Sequence, residues 1–97
     1  MFETIDDITL DYEEDGQQVV KELDKVVLSK GAWTTILFRY QQLDPKLGDF
    51  GPERYSIRRY KKISGVFKPQ SKFTITNAKQ ARMIVEALSG WIADVPE

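Results

Sequence analysis

The sequence predicts an α+β fold in which a curved four-stranded antiparallel sheet is followed by one C-terminal helix, in the order ββββα. Between residues 25 and 76, β-branched and aromatic residues alternate with polar ones in segments that turn residues separate. After residue 77, apolar residues recur every three or four positions, which is typical of an amphipathic helix. A chain of 97 residues is long enough for one domain and too short for two hydrophobic cores.

The first two strands are predicted on either side of a break at residues 29–31. KVVLS at residues 25–29 is rich in β-branched residues, and the run from Ala32 to Leu43 has the strongest strand pattern in the chain. Residues 44–52 contain two prolines and two glycines, so we expect a long polar turn there.

The third and fourth strands are predicted at residues 53–62 and 66–76, joined by a tight turn at Ser64-Gly65. Pro69 has no backbone N–H, so the first part of the fourth strand should lie at a sheet edge or in a bulge. Only the part from Lys72 to Thr76 is expected to pair regularly.

The helix is predicted from about Ala78 to about Ala93. Asn77 is a good N-cap residue, and Gln80 stands at the third helical position, which is the spacing of a capping box. One helix can cover only one face of a sheet, so we expect the other face to be open to water or to a partner, and we look for the function there.

The formal net charge of −1 conceals two oppositely charged regions. Residues 1–24 contain nine acidic residues and one basic residue, whereas residues 25–82 contain thirteen basic and three acidic residues. We therefore predict a flexible acidic N-terminal arm at residues 1–17 and a single domain at residues 18–95. One hypothesis is that the arm folds back over the basic region and competes with nucleic acid. The alternative is that it only aids solubility.

The composition argues against an enzyme. The chain has no cysteine and no histidine, which excludes thiolate nucleophiles, disulfides, zinc fingers and histidine-based catalysis. Its adjacent acidic residues lie in the predicted arm, where no fold would hold them at a fixed separation, and nothing resembles a phosphate-binding glycine motif. We predict no catalytic residue, no metal and no cofactor.

The sequence also favours a location away from membranes. No apolar run approaches the ~20 residues that a membrane span needs, and the first residues lack the basic start of a secretory signal. We expect no membrane partner, and a cytoplasmic, nucleoid-associated location in a prokaryotic or phage-infected cell, or a nuclear one in a eukaryote.

Residues 55–88, YSIRRYKKISGVFKPQSKFTITNAKQARMIVEAL, resemble the β-β-α half of the positive-cofactor-four transcriptional coactivators. The preceding VVLSKGAW is similar to the segment that leads into a strand in small bacterial members of this single-stranded-DNA-binding superfamily, which also has phage members. The resemblance covers roughly residues 25–92, and its motifs are degenerate.

Membership of this family would imply a homodimer that binds single-stranded DNA along its curved sheets. Arg58, Lys68 and Lys72 fall on basic residues of the family pattern. Lys61 stands where the eukaryotic protein has a tryptophan, so base stacking would have to come from other rings; the candidates are Tyr60, Phe38, Tyr40 and Phe67.

The residues alone support the same function less sharply, because binding of single strands needs cations for the phosphates and exposed rings for the bases. A solvated sheet face with edge-protecting lysines is the ordinary alternative. For Trp33, packing beneath the helix is the alternative to base stacking. The predicted nucleic-acid-binding residues are Lys30, Trp33, Arg39, Arg54, Arg58, Tyr60, Lys61, Lys62, Phe67, Lys68 and Lys72.

We therefore predict a largely sequence-independent single-stranded-DNA-binding protein that acts without catalysis in transcription, replication or recombination. The sequence does not separate DNA from RNA. A dimer interface is predicted on the helix at Ile84, Leu88 and Trp91, although these side chains could equally serve the core of the monomer. The second candidate function is a small interaction module whose basic sheet face docks an acidic protein.

Overall fold

The structure is a computed structural model that describes residues 2–97, and it consists of one curled antiparallel sheet and one helix. The elements are β1 (Tyr12–Glu14), β2 (Gln17–Ser29), β3 (Trp33–Asp44), β4 (Asp49–Phe50), β5 (Arg54–Ile63), β6 (Val66–Ile75) and α1 (Ala78–Ile92). The sheet order is β1-β2-β3-β5-β6, and β4 pairs with the end of β3. The α+β class and the C-terminal helix are as predicted, and β1 and β4 are short additions.

The predicted turns connect these strands. Ser64 and Gly65 both have positive φ angles, 52° and 85°, as a two-residue hairpin turn of the type that matches strand twist requires. The residue pairing shifts between β5 and β6 next to Arg59 and Tyr60, where Pro69 and Ser71 are paired and Gln70 is the extra residue. The predicted interruption at Pro69 is therefore a bulge, and β6 pairs with β5 on both sides of it.

The two faces of the sheet differ in what covers them. Side chains alternate along a strand, and on β3 the side chains of Thr34, Ile36, Phe38 and Tyr40 are all buried on one face. Residues 2–11, which we call the strap, lie across this face. We name it the strapped face and name the opposite side of the sheet the open face.

The strap is part of the hydrophobic core. Ile8 is fully buried, and Leu10 is nearly so, in a cluster with the aromatic and aliphatic residues of the strapped face. At the other end of the strap, the Phe67 N–H donates to the carbonyl oxygen of Phe2 over 2.7 Å, and the Phe2 ring meets Tyr60 edge to face at 6.4 Å. The strap therefore supplies the second layer that a sheet face needs to exclude water.

Two charged side chains of β2 fix the path of the strap. The Lys25 Nζ donates to the carbonyl oxygens of Ile5, Asp6 and Ile8 at 3.2, 3.1 and 2.7 Å. The Glu22 carboxylate accepts from the Thr9 hydroxyl at 2.9 Å and from the Leu10 N–H at 3.1 Å. These bonds satisfy backbone groups of the strap that no strand pairing reaches.

The packing of the strap corrects the expectation of a flexible arm at residues 1–17 outside the folded domain. Within the described part of that segment, residues 2–11 pack on the sheet and residues 12–14 form β1, which pairs with β2. The physical reason is that apolar residues at positions 2, 5, 8 and 10 lie between the acidic ones and face the sheet. Residue 1 lies outside the described residues.

Helix α1 begins as predicted and packs differently. The Asn77 side chain accepts from the Gln80 N–H at 2.8 Å, and the Gln80 side chain accepts from the Thr76 N–H at 3.0 Å. No residue of α1 is buried, and the helix lies beside one end of the sheet, next to the end of β6 and to Tyr55 of β5. The expectation that the helix covers one sheet face is therefore wrong, because the strap takes that place.

Candidate nucleic-acid interface

The predicted binding residues lie on both sides of the sheet, so they do not form one surface. Residues opposite each other in neighbouring strands share a face, and this register assigns each side chain to its side. The strapped face carries Arg54, Arg58, Tyr60, Lys62, Phe67 and Lys72; the open face carries Trp33, Arg39, Lys61 and Lys68; Lys30 lies in the loop between β2 and β3.

The four candidate stacking rings all lie on the strapped face and are buried: Phe38, Tyr40, Tyr60 and Phe67. Tyr60 is 2% exposed and Phe67 is 4% exposed, and both belong to the core that the strap closes. Burial raises the pKa of the Tyr60 hydroxyl above its usual value of 10, and the positive charge of Arg58 offsets part of this rise. None of the four rings is free to stack on a base, which corrects the stacking role predicted for them.

The cations of the strapped face are dispersed around the strap. Arg58 Nε donates to the Ser56 hydroxyl oxygen at 3.2 Å, and Arg54 donates to the Gln42 side chain at 3.1 Å. The Lys62 ammonium lies over the Phe67 ring at 5.5 Å.

One cleft of the strapped face brings opposite charges together. Lys30 and Lys62 line it together with Glu3 and Asp6 of the strap. The carboxylates oppose binding of a polyanion there. The acidic segment therefore lies near two of the predicted lysines, but it is not folded over Lys68 and Lys72.

The open face brings a ring and cations together. The Arg59 guanidinium lies 4.5 Å from the centre of the Trp33 ring, and the Lys61 ammonium lies 5.3 Å from it. Lys68 pairs with Lys61 on the neighbouring strand and faces the same side. Trp33 is 41% exposed. We call Trp33, Arg59, Lys61 and Lys68 the Trp33 cluster.

The Trp33 cluster lies at the end of the sheet formed by the β5–β6 hairpin, whereas α1 leaves the sheet at the opposite end, next to Tyr55. Trp33 is therefore not packed beneath the helix, which was the alternative role for this residue. Arg39 lies nearer the helix end of the open face and forms an ion pair of 3.0 Å with Glu53.

Arg59 is the residue of this cluster that the predicted set left out. The sequence contains the signal that could have found it, because Arg59 and Lys61 are two positions apart in a strand and must share a face. The register of β3 against β5, which places Trp33 between them, is not readable from the sequence.

The predicted dimer residues of α1 are accessible. Trp91 is 76% exposed and Leu88 is 48% exposed, while Ile84 is half-buried. A stripe of such residues on a helix that contacts little of its own chain is unusual for a monomer.

Within residues 2–97, no group of three or more acidic side chains is placed to hold a metal ion. No helix in the same range is long and apolar enough to cross a membrane. Comparison of the chain with protein-family models, curated proteins and solved structures finds no match. The resemblance to the positive-cofactor-four family therefore stays a prediction.

Proposed function

We propose that this chain binds single-stranded nucleic acid, with DNA as the first candidate, without sequence preference and without catalysis. One observation carries the proposal: on an uncovered face of the sheet, the half-exposed Trp33 ring lies against two cationic side chains. Such a site stacks on a base and neutralises the adjacent phosphates at the same time.

The family resemblance gives this cluster additional support. Lys61 stands where the eukaryotic coactivator carries a tryptophan. Trp33 is the residue paired with Lys61 on the neighbouring strand, so its ring lies on the same face. The neighbouring strand would thus supply the indole that β5 lacks.

The path of a bound strand would continue over the edge of the sheet. Lys68 on the open face and Lys72 on the strapped face are separated by the bulge of β6, and Lys72 pairs with Arg58. Four residues of strand span about 13 Å, so these two lysines lie well apart along the edge. The three residues transferred from the family pattern, Arg58, Lys68 and Lys72, would then contact phosphates of the same bound strand.

Two single-tryptophan variants test the proposal. Trp91→Phe retains Trp33 as the only indole, and Trp33→Phe retains Trp91. We expect oligo-dT to quench the fluorescence of the first variant and to leave that of the second nearly unchanged. Duplex DNA of the same length should quench less, and oligo-U tests whether RNA is bound as well.

Quenching of neither variant by any single strand would contradict the proposal. Binding of poly-glutamate as tightly as oligo-dT, with no change at Trp33, would favour the second function, a module that docks an acidic protein. The salt dependence of binding alone does not separate these two functions, since both rely on charge.

We also propose that the protein is a homodimer through α1, with Ile84, Leu88 and Trp91 in the interface. The exposed apolar stripe supports this. The protein would act in transcription, replication or recombination, in the cytoplasm beside the nucleoid of a prokaryotic or phage-infected cell or in the nucleus of a eukaryotic one. The hypothesis that the acidic segment competes with nucleic acid now applies to one place, the cleft that Glu3 and Asp6 share with Lys30 and Lys62. The carboxylates of the strap would weaken the binding of a polyanion at these two lysines.

A further inference from the structure

The open face carries an apolar surface that is separate from the Trp33 cluster. Val26 on β2, Leu37 on β3, Ile57 on β5 and Phe73 on β6 are paired in register, so their side chains form one row across four strands. Val26 and Phe73 are 53% and 55% exposed. We call these four residues the apolar row.

The stripe of α1 is a second uncovered apolar surface on the same chain. Val85, Leu88, Trp91 and Ile92 are all exposed, and α1 is joined to β6 through only Thr76 and Asn77. The helix meets its own sheet around Tyr55 and the end of β6, where Val85 lines a shared cleft, and Leu88, Trp91 and Ile92 remain exposed beyond it.

We propose that α1 of one copy docks on the apolar row of a second copy, and that the second copy returns the same contact. This inference rests on the proposed homodimer and specifies what each helix packs against: the partner's sheet, and not the partner's helix. The two exchanged contacts close a two-fold dimer, which leaves no unmatched surface to extend into a fibre.

The dimensions of the two surfaces agree. Three strand spacings make the apolar row about 14 Å long. The stripe from Ala81 to Ile92 is about 16 Å long at the helical rise. The exposed parts of the row and the stripe are on the order of 600 Å² per copy, close to the ~800 Å² per partner of a standard stable interface.

A second copy fits better than a foreign partner because the chain carries both complementary surfaces, and one association covers them together. The docked helix would occupy the middle of the open face. The Trp33 cluster lies about four residues further along the strands, roughly 13 Å away, so each copy would keep its nucleic-acid site.

Disulfide trapping tests this geometry without background, because the chain has no cysteine of its own. Leu88→Cys is placed on one chain and Ile57→Cys on another, and the two are mixed in a glutathione redox buffer. We expect a cross-linked heterodimer in most of the mixed protein. Glu86→Cys, on the opposite side of the helix, is the matched control and should cross-link at least tenfold less with Ile57→Cys.

The outcomes separate the parts of the proposal. Cross-linking of Leu88→Cys with itself, and not with Ile57→Cys, would show a helix-to-helix dimer and overturn docking on the sheet. Absence of every cross-link, together with a monomer in sedimentation at 100-fold the working concentration, would overturn the dimer as well. Phe73→Cys repeats the test at an exposed position if Ile57→Cys disturbs folding, and quenching of Trp33 by oligo-dT reports the nucleic-acid site independently.

Discussion

The two faces of this sheet use similar residues for different purposes. Both carry aromatic rings, aliphatic side chains and cations. The adjacent pairs Arg58-Arg59 and Lys61-Lys62 of β5 each give one cation to the strapped face and one to the open face. On the strapped face the rings are buried under residues 2–11, and the cations are left at the periphery. On the open face the ring of Trp33 and the cations remain together at the surface.

The comparison shows that coverage, and not composition, determines what a sheet face can do. A ring becomes a stacking platform only if no other element of the chain needs it for the core. The strap makes Tyr60 and Phe67 core residues, whereas Trp33, two strands from β6, is left accessible.

The largest expected effect is on the strapped face. Ile8→Ala removes a fully buried side chain of the strap, so we expect the free energy of unfolding to fall by about 3 kcal/mol. Ile92→Ala makes the same chemical change on the exposed part of α1 and should alter it by less than about 0.5 kcal/mol at protein concentrations where the chain is monomeric. Urea denaturation measures both. Equal losses would mean that the strap is not part of the core.

The next effect concerns the attachment of the strap. Lys25→Met keeps most of the apolar stem but removes the ammonium donor from the carbonyl oxygens of Ile5, Asp6 and Ile8. We expect a loss of about 2 kcal/mol and faster hydrogen exchange at residues 2–11. Lys21→Met, on the other face of the same strand, is the control, and exchange that is unchanged in Lys25→Met would contradict the role of this ammonium group.

A third prediction compares equal charge changes on the two faces. Arg59→Gln with Lys61→Gln should weaken oligo-dT binding about tenfold at low salt and reduce the slope of log K against log salt by about 1.4. Arg54→Gln with Lys62→Gln removes the same charge from the strapped face and should change affinity less than about twofold. Fluorescence anisotropy at two or more salt concentrations measures both pairs. A larger loss from the second pair would transfer the site to the strapped face.

The smallest effect is expected from the Tyr60 hydroxyl at alkaline pH. Because burial raises the pKa of Tyr60 in the folded chain, the unfolded chain ionises first as the pH rises above about 10. The contribution of this group to stability is therefore complete below pH 10 and is lost as the pH approaches its higher folded value. Tyr60→Phe should lose less stability between pH 9 and pH 11 than the parent, as urea midpoints would show. Tyr12→Phe, at an exposed position, should behave like the parent.

Local sequence patterns were sufficient for the elements that local physics determines. The helix was predicted from about Ala78 to about Ala93 and spans Ala78–Ile92, because the Asn77 cap and the apolar spacing are both local signals. The period-two pattern likewise predicted that residues 34, 36, 38 and 40 share a face. The bulge at Pro69 follows from its missing N–H.

Local patterns could not predict which element of the chain covers each face of the sheet. The alternation in β3 shows that one side is buried, but it does not say whether α1 or the N-terminal segment buries it. The acidic residues made the strap look like a solvated arm, because seven of the nine acidic residues in 1–24 come before residue 17. The apolar residues Phe2, Ile5, Ile8 and Leu10 were the contrary signal.

The candidate site was only partly predictable for the same reason. Trp33, Lys61 and Lys68 were in the predicted set, but so were Tyr60 and Phe67, which the core requires. Distinguishing these groups needs the register between strands that are far apart in sequence, such as Trp33 opposite Lys61.

The deletion of residues 1–17 would be the natural test of a flexible arm. Here it would remove core residues such as Ile8 and unfold the protein.

The contact between Phe2 and Phe67 also constrains the order of events during synthesis. These residues are sixty-five positions apart, yet their backbones are joined and their side chains close one end of the core. A ribosome makes Phe2 long before Phe67, so the nascent chain must hold its apolar N-terminal residues unburied until the β5–β6 hairpin has emerged. Contacts of this range slow folding and prolong exposure to aggregation. The acidic residues that lie among these apolar ones, Glu3, Asp6, Asp7 and Asp11, would keep the segment soluble until it is buried.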